Sequence, residues 1–418
     1  MSRLAIYLYS SLLFFLMSWV YVFYMFPLFE YAGFKLNVGY NELLISFLLL
    51  VFCLLFIGDD FKSNYYFIFL ILSVVPSLVI FSVGGASMSF IFITIYSYLL
   101  VVLSSKFKVP FFKLFSFDID VLIKIFAASS SLYIIGIFAQ GGYKYLNFNI
   151  FSVYDFRSDA ADNLIGLYGY LSPIFGKVVI PVLIALSLFT KKYIYLMLGV
   201  VFSVLVFSLT SHKSPLIYPL IIILIYYIVN KFFNFKVLFL IVLILLSVYS
   251  AFDFYLMMNT SEGAFGSFFF RRALILPAYL NYLYIDFFSI NDFYYWANSK
   301  FSFGLITTEY QYSAAYQIGS EYFGNPESGA NTGLVGSGYS NFGIFGVTIY
   351  SILTGLLISY FYASSKVIGA KEVFSYSFIL FLTIILSTDL STALLTHGLL
   401  GLLFTLSIHP PEERSEFN

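Results

Sequence analysis

Charged side chains are scarce in this sequence. Asp, Glu, Lys and Arg make up 10% of its 418 residues, and 61% of the residues are hydrophobic. Soluble domains, in contrast, carry about 25% charged residues. The mean hydropathy of +0.93 describes a chain that cannot hide its apolar surface from water. The composition therefore excludes a soluble globular fold and predicts an all-α polytopic membrane protein.

Several other features are missing from the sequence. Its one cysteine, Cys53, excludes an intramolecular disulfide. The formal net charge of zero gives no reason to expect a nucleic-acid partner. The sequence contains no glycine-rich phosphate loop and no metal-ligand spacing of His, Cys and carboxylates, so we expect neither a metal nor a cofactor. An internal sequence repeat is also missing.

Twelve apolar runs are close to the length of about 20 residues that crosses a bilayer as a helix. We interpret the first run as a retained helix and not as a signal peptide, because it is long enough to span and has no small-residue cleavage site. The prediction is a single integral membrane domain over 1–418 with about twelve transmembrane helices. The runs are Ala5–Phe26, Glu42–Ile57, Tyr65–Phe81, Ser89–Leu103, Val121–Ala139, Leu171–Phe189, Tyr193–Leu209, Pro215–Val229, Val237–Phe252, Gly333–Tyr362, Val373–Ser387 and Ser391–Ile408.

The distribution of lysine and arginine predicts the orientation. Thirteen of the 21 basic residues fall on the side of the two termini, and eight fall on the other side. Because cytoplasmic loops carry an excess of Lys and Arg, we expect both termini in the cytoplasm. The eight basic residues on the far side are concentrated in a few places, which suggests that some of them share a local task.

Two long polar stretches lie on that far side. The larger, 253–332, separates spans nine and ten and contains the adjacent pair Arg271 and Arg272. The smaller, 140–171, contains Arg157. Unpaired backbone polar groups are not tolerated in hydrocarbon, so we expect both stretches to be loops outside the lipid.

Four short patterns are spread over most of the chain. They are Tyr154-Asp155-Phe156-Arg157 followed by Lys177 and Pro181; Ser211-His212-Lys213-Ser214; Arg271-Arg272 followed by Pro277 and the aromatic run Tyr279 to Phe288; and Asn331-Thr332-Gly333 followed by Gly336, Tyr339, Gly343 and Gly346. With these patterns and its overall layout, the chain resembles the Wzy-type O-antigen polymerases, or oligosaccharide repeat-unit polymerases. The family's arginine ten residues before a glycine has no counterpart at Arg157.

The resemblance implies a function at the periplasmic face of the bacterial inner membrane. Such enzymes, similar to GT-C membrane glycosyltransferases, act on oligosaccharide repeat units linked to undecaprenyl pyrophosphate. They transfer the growing glycan from its lipid onto a new lipid-linked repeat unit. The pyrophosphate already activates the donor, so neither a nucleotide nor a metal is needed. The implied partners are the lipid-linked oligosaccharide, membrane lipid and a protein that regulates chain length.

Cations on the far side are the first candidates for this chemistry. A guanidinium forms paired hydrogen bonds to phosphate and stays charged, so we expect Arg271 and Arg272 to stabilise the leaving group. His212 is the candidate general base for the acceptor hydroxyl. Four carboxylates are rivals for this role or could orient the sugar without moving a proton, namely Glu262, Asp286, Glu309 and Glu321. The candidate substrate-binding residues are Arg157, Lys213, Tyr279, Glu309 and Tyr339.

Simpler interpretations of these residues stay open. The cations could instead anchor helices at the lipid headgroups, and His212 could be a polar residue at a helix end that faces the headgroups. Tyrosines such as Tyr279 and Tyr282 fit sugar stacking, but we favour an amphipathic interfacial helix with its aromatic face in the bilayer. His397, inside an apolar run, is expected to be packed or hydrogen-bonded between helices. Asp389 is expected at a helix cap.

Two other functions fit the layout. A flippase for the same lipid-linked oligosaccharide also fits twelve spans, but transporters are often built from repeated halves, and this sequence has none. An O-antigen ligase shares the arrangement, but the histidine-rich and arginine-rich signature expected of it is weak here.

The first prediction concerns topology. Because nine spans precede 253–332 and a tenth follows it, reporter fusions at Asn325 and at Ala370 should lie on opposite sides of the membrane. Paired phosphatase and fluorescent-protein fusions measure this directly. If both positions give the same side, the predicted topology is wrong.

Overall fold

A computed structural model describes residues 2–149, 167–210, 212–231, 235–260, 262–297 and 299–410 of the chain. These residues are almost entirely helical and contain no β-strand, with one isolated bridge between Asn37 and Gly84. The predicted all-α class is confirmed.

The helices are, in chain order, α1 (Arg3–Ala32), α2 (Tyr40–Leu54), α3 (Phe61–Val83), α4 (Met88–Ser104), α5 (Ile119–Ala139), α6 (Leu167–Phe189), α7 (Tyr193–Thr210), α8 (Ser214–Lys231), α9 (Phe235–Thr260), α10 (Leu276–Phe288), α11 (Ala314–Phe323), α12 (Leu334–Ile368), α13 (Ala370–Leu386), α14 (Leu390–Leu395) and α15 (Leu399–Ile408). A π-helix, Ser267–Ile275, leads into α10, and 3₁₀ turns occur at Gly142–Tyr145 and Lys300–Ser302. Seven helices within the described ranges are long and apolar enough to cross a membrane, namely α1, α3, α5, α6, α7, α9 and α12. The chain is thus a multi-pass membrane protein.

Each predicted apolar run coincides with helical structure, but two of the runs are not one continuous helix. Gly333–Tyr362 is broken at Phe342–Gly343, and in Ser391–Ile408 the chain leaves the helical path between α14 and α15. Gly398 adopts a left-handed φ of +92° at this interruption, a conformation that glycine reaches without the steric cost of a Cβ.

The chain forms two compact units. Unit 1 consists of Met1–Lys108, Asn234–Ser359 and Leu382–Ser391, and unit 2 consists of Val109–Phe233, Tyr360–Phe381 and Thr392–Asn418.

Unit 1 is built around α3. Every residue of this helix from Tyr65 to Val83 is buried, which agrees with a helix that is apolar on all sides. Around it, α1 packs along α9, and α2 packs against the second half of α3.

Unit 2 is built around the second half of α6. Every residue from Ile180 to Leu188 is buried, and α5, α7 and α8 pack on this helix. The rings of Tyr133 on α5 and Phe175 on α6 stack at 4.3 Å between centroids.

Four stretches of π-helix share one sequence feature, a proline two residues after the stretch ends. A proline in a helix has no N–H, and its ring crowds the carbonyl group four residues earlier. A wider π-turn makes room for that carbonyl. The pairs are Tyr21–Met25 with Pro27, Leu70–Val74 with Pro76, Phe175–Val179 with Pro181, and Ser267–Ile275 with Pro277.

Helix α12 is broken near its start. Phe342 (φ −149°, ψ 26°) and Gly343 (φ 58°, ψ −139°) leave the helical conformation. A Cβ at Gly343 would lie 2.8 Å from the ring of Phe293, so only glycine fits this position. The carbonyl of Ser340 accepts the N–H of Tyr294 at 2.9 Å, which pairs one group freed by the break.

Candidate functional site

The arginine pair lies in the π-helix Ser267–Ile275, and its two members differ. Arg271 is half-buried; its Nε and Nη2 donate to Ser267 Oγ at 3.2 and 2.8 Å. Its guanidinium carbon lies 4.4 Å from the ring centroid of Phe29. Arg272 is exposed and lies 5.9 Å from the ring of Phe268. Arg271 therefore faces the protein, and Arg272 faces outwards.

The predicted interfacial helix after the arginines is wrong. Tyr279, Tyr282 and Tyr284 on α10 are buried within unit 1. The Tyr279 hydroxyl donates to the Gly33 carbonyl at 2.5 Å, and the Tyr284 hydroxyl donates to the Ala330 carbonyl at 3.0 Å. The reason lies in the sequence of α10, which is apolar or aromatic around nearly its whole circumference and is therefore covered on all sides.

A buried amide joins α10 to the start of α12. Asn281 Oδ1 accepts the hydroxyl of Thr332 at 2.7 Å and the N–H of Gly336 at 2.9 Å. A Cβ at Gly336 would meet Thr332 Oγ1 at 2.7 Å, so the glycine permits this close approach. Thus the glycine of the late pattern serves packing within unit 1.

The other predicted residues of unit 1 occupy separate surroundings. Glu309 is exposed between Lys300–Ser302 and α11. Tyr339 lies on α12 just before its break, half-buried, with its ring 6.0 Å from that of Phe293.

The sequence did not predict a partly buried hydrogen-bond network around Asp389. Asp389 Oδ2 accepts the hydroxyl of Tyr350 at 2.9 Å, and that hydroxyl accepts Trp296 Nε1–H at 3.0 Å. The backbone N–H of Trp296 donates to Asn341 Oδ1 at 3.0 Å, next to the break in α12. The expected capping role of Asp389 is confirmed, because its Oδ1 accepts the Ser391 N–H at 2.8 Å at the start of α14.

Two predicted site residues lie in the short gap between α7 and α8 of unit 2. His212 is exposed, and its backbone N–H lies 3.4 Å from Thr210 Oγ1. Lys213 is half-buried, and its carbonyl accepts the N–H of Leu216 at 3.2 Å. The third, Arg157, lies outside the described residues, which omit 150–166.

A cluster of three basic side chains, Lys177, His212 and His397, lies within unit 2. His397 is within electrostatic range of both Lys177 and His212, so the three side chains share one neighbourhood. His397 Nδ1 also lies 3.0 Å from Thr396 Oγ1. Thr396 is the preceding residue in the chain, so this contact is local and does not test the expected hydrogen bond between helices. The basic neighbours of His397 were not predicted.

Three interruptions of helices meet at this cluster. Lys177 lies in the π-turn Phe175–Val179 of α6, four residues before its proline. A Cβ on Gly398, beside His397, would lie 2.6 Å from Val178 Cγ2. A Cβ on Gly176 would lie 3.7 Å from Pro215, in the first turn of α8. The π-turn thus touches both the α14–α15 gap and the beginning of α8.

Such a cluster is chemically suited to an anion. The charged forms of Lys177 and His397, which are both half-buried, are costly in an apolar bundle unless a negative group shares the site. One signal in the sequence pointed here: Lys177 and His397 interrupt apolar runs, and each is adjacent to a glycine.

Comparison of the chain with known protein families, with curated proteins and with solved structures finds no match.

The geometry of the arginine pair generates the second prediction. Arg271→Ala removes a charged hydrogen bond and a contact with Phe29, so the free energy of unfolding should fall by about 1–3 kcal/mol. Arg272→Ala, at the exposed neighbour, should leave it nearly unchanged. Thermal unfolding of both purified variants in one detergent measures the difference, and equal midpoints would contradict the inward position of Arg271.

Proposed function

We propose that this chain is an O-antigen polymerase of the Wzy type. It acts at the periplasmic face of the bacterial inner membrane on undecaprenyl-pyrophosphate-linked repeat units. The observation that carries the proposal is the cluster of Lys177, His212 and His397 at three helix interruptions within one unit. Its charge and apolar surroundings suit a lipid-linked pyrophosphate.

The proposed reaction uses the cluster in two ways. The acceptor hydroxyl attacks the anomeric carbon of the growing glycan, and the bond from that carbon to the pyrophosphate oxygen breaks. The electron pair of this bond leaves on undecaprenyl pyrophosphate, where Lys177 and His397 stabilise the negative charge. His212, as a neutral imidazole, accepts the proton of the attacking hydroxyl.

Arg272 is the better of the two arginines for binding a lipid phosphate, because its guanidinium is exposed whereas Arg271 packs on Phe29. Arg271 then positions the π-helix that carries its neighbour. Tyr279 is the least suited of the proposed substrate-binding residues, since its ring is buried and its hydroxyl donates to Gly33. Arg157, Lys213, Glu309 and Tyr339 remain proposed as substrate-binding residues.

The proposed topology has twelve spans and places 253–332 in the periplasm. Helix α10 supports this arrangement through the residues that it touches: Gly33 after α1, Phe90 in the first turn of α4, and Ala330 before α12. All three lie in segments predicted at the same end of the bundle. The proposed partners are membrane lipid and a chain-length regulator protein.

The third prediction tests the function in cells. Deletion of the gene should leave surface glycolipid with a single repeat unit on its core, since export and ligation continue while elongation stops. Gel analysis of the glycolipid measures this. Core with no repeat unit would contradict the polymerase and favour the ligase or the flippase.

Complementation of the deletion strain with variants of the chain tests whether the cluster is the site of the reaction. Lys177→Met removes a charged hydrogen bond from a shielded site, which costs about 2–4 kcal/mol, or roughly 30-fold to 1,000-fold in rate. In the gel, the ladder of bands from glycolipids with increasing numbers of repeat units should collapse towards the band for one repeat unit, with the variant expressed at the normal level. Lys144→Met, an exposed lysine of the same unit, is the control and should restore the wild-type ladder. A normal ladder with Lys177→Met would contradict the proposed role of the cluster in the reaction.

A further inference from the structure

A candidate second site lies in unit 1. A cleft of about 470 Å³ opens between the end of α10 and α11. Its volume falls in the range of about 300–1,000 Å³ that is usual for small-molecule sites. The side chains that the argument uses are Phe287, Asn291, Tyr310, Gln317, Glu321 and Tyr322.

The chemistry of the cleft matches an uncharged, hydroxyl-rich ring. Three aromatic rings, from Phe287, Tyr310 and Tyr322, offer apolar faces. Two amides and the carboxylate of Glu321 offer hydrogen-bond donors and acceptors. None of the described side chains that line the cleft is cationic. An anionic ligand would meet the negative charge of Glu321 without compensation, so charge complementarity disfavours it.

The aromatic walls are held in place by their own hydroxyl groups. The Tyr310 hydroxyl donates to the Asp292 carbonyl at 2.7 Å, and its ring stacks on Tyr294 at 4.7 Å. The Tyr322 hydroxyl donates to Asp286 Oδ2 at 2.7 Å. Burial, together with this bond to Asp286, raises the pKa of Tyr322, so the hydroxyl keeps its proton. A binding surface whose rings are fixed in advance loses little entropy when a ligand binds.

We propose that this cleft binds one or two sugar rings of an uncharged saccharide. The rings lie on Tyr310 and Tyr322, and their hydroxyls hydrogen-bond to Gln317 and Glu321. In the proposed function this saccharide belongs to the glycan of the lipid-linked substrate. The identity of the glycan rests on that function, whereas the ability of the cleft to bind a sugar does not.

The test is a binding measurement on the purified full chain in lipid nanodiscs. The probe is a soluble saccharide of at least one repeat unit, released by mild acid from the surface polysaccharide of the host. Saturation-transfer NMR detects the contact, and calorimetry gives the dissociation constant. Saturable binding that is about tenfold weaker in Gln317→Ala and in Glu321→Ala is the expected result.

Matched controls make the outcome specific. Glu327→Ala removes an exposed carboxylate outside the cleft and should bind as the wild type does. Inorganic pyrophosphate should not compete with the saccharide. No saturable binding by the wild type, or equal affinity in the two cleft variants and the control, would overturn the proposal.

The binding assay needs no transfer of glycan, so the two proposals fail separately. A protein that binds the saccharide in the cleft while gene deletion leaves a normal ladder would contradict the polymerase and leave the cleft intact. Loss of the ladder without any binding in the cleft would overturn this inference and leave the polymerase intact.

Discussion

Backbone polar groups must find partners inside an apolar helical bundle, and this constraint decides where the helices of this protein are interrupted. The prolines at 27, 76, 181 and 277 each remove one donor, and a π-turn before each widens the helix around the crowded carbonyl. The break at Phe342–Gly343 frees the carbonyls of Ser340 and Asn341, which accept the N–H groups of Tyr294 and Tyr295. The π-turns and the break in α12 are thus each compensated by local structure.

In each of the two units, ionisable residues that the proposed function uses lie at helix interruptions. Lys177 occupies one π-turn, and Arg271 and Arg272 occupy another. His212 and His397 lie in gaps between helices. Helix breaks inside membrane proteins place backbone dipoles and polar side chains around a ligand where a regular helix presents only its apolar surface. The positions where the helices are interrupted are thus also the positions that carry these ionisable side chains.

The sequence predicted the helices well because the apolar period and length leave few alternatives for long runs. The prediction was wrong for α10, whose tyrosines suggested a helix at the membrane surface. A helix that is aromatic on several faces has the same sequence pattern whether protein or lipid covers it. The cluster of Lys177, His212 and His397 was not predicted for another reason. Lys177 and His397 are 220 positions apart, and only the packing of Gly398 on Val178 brings their segments together. The cleft beside Tyr322 likewise depends on contacts between distant segments.

The affinity of the full chain in nanodiscs for undecaprenyl pyrophosphate tests directly whether the cluster binds this anion. We expect Lys177→Met and His397→Leu each to weaken binding by about tenfold or more, while Lys144→Met binds as the wild type does. Undecaprenol, which has no phosphate, should bind all of these proteins alike. Equal affinity of the wild type and both cluster variants for the pyrophosphate would contradict the assignment of this cluster as the anion site.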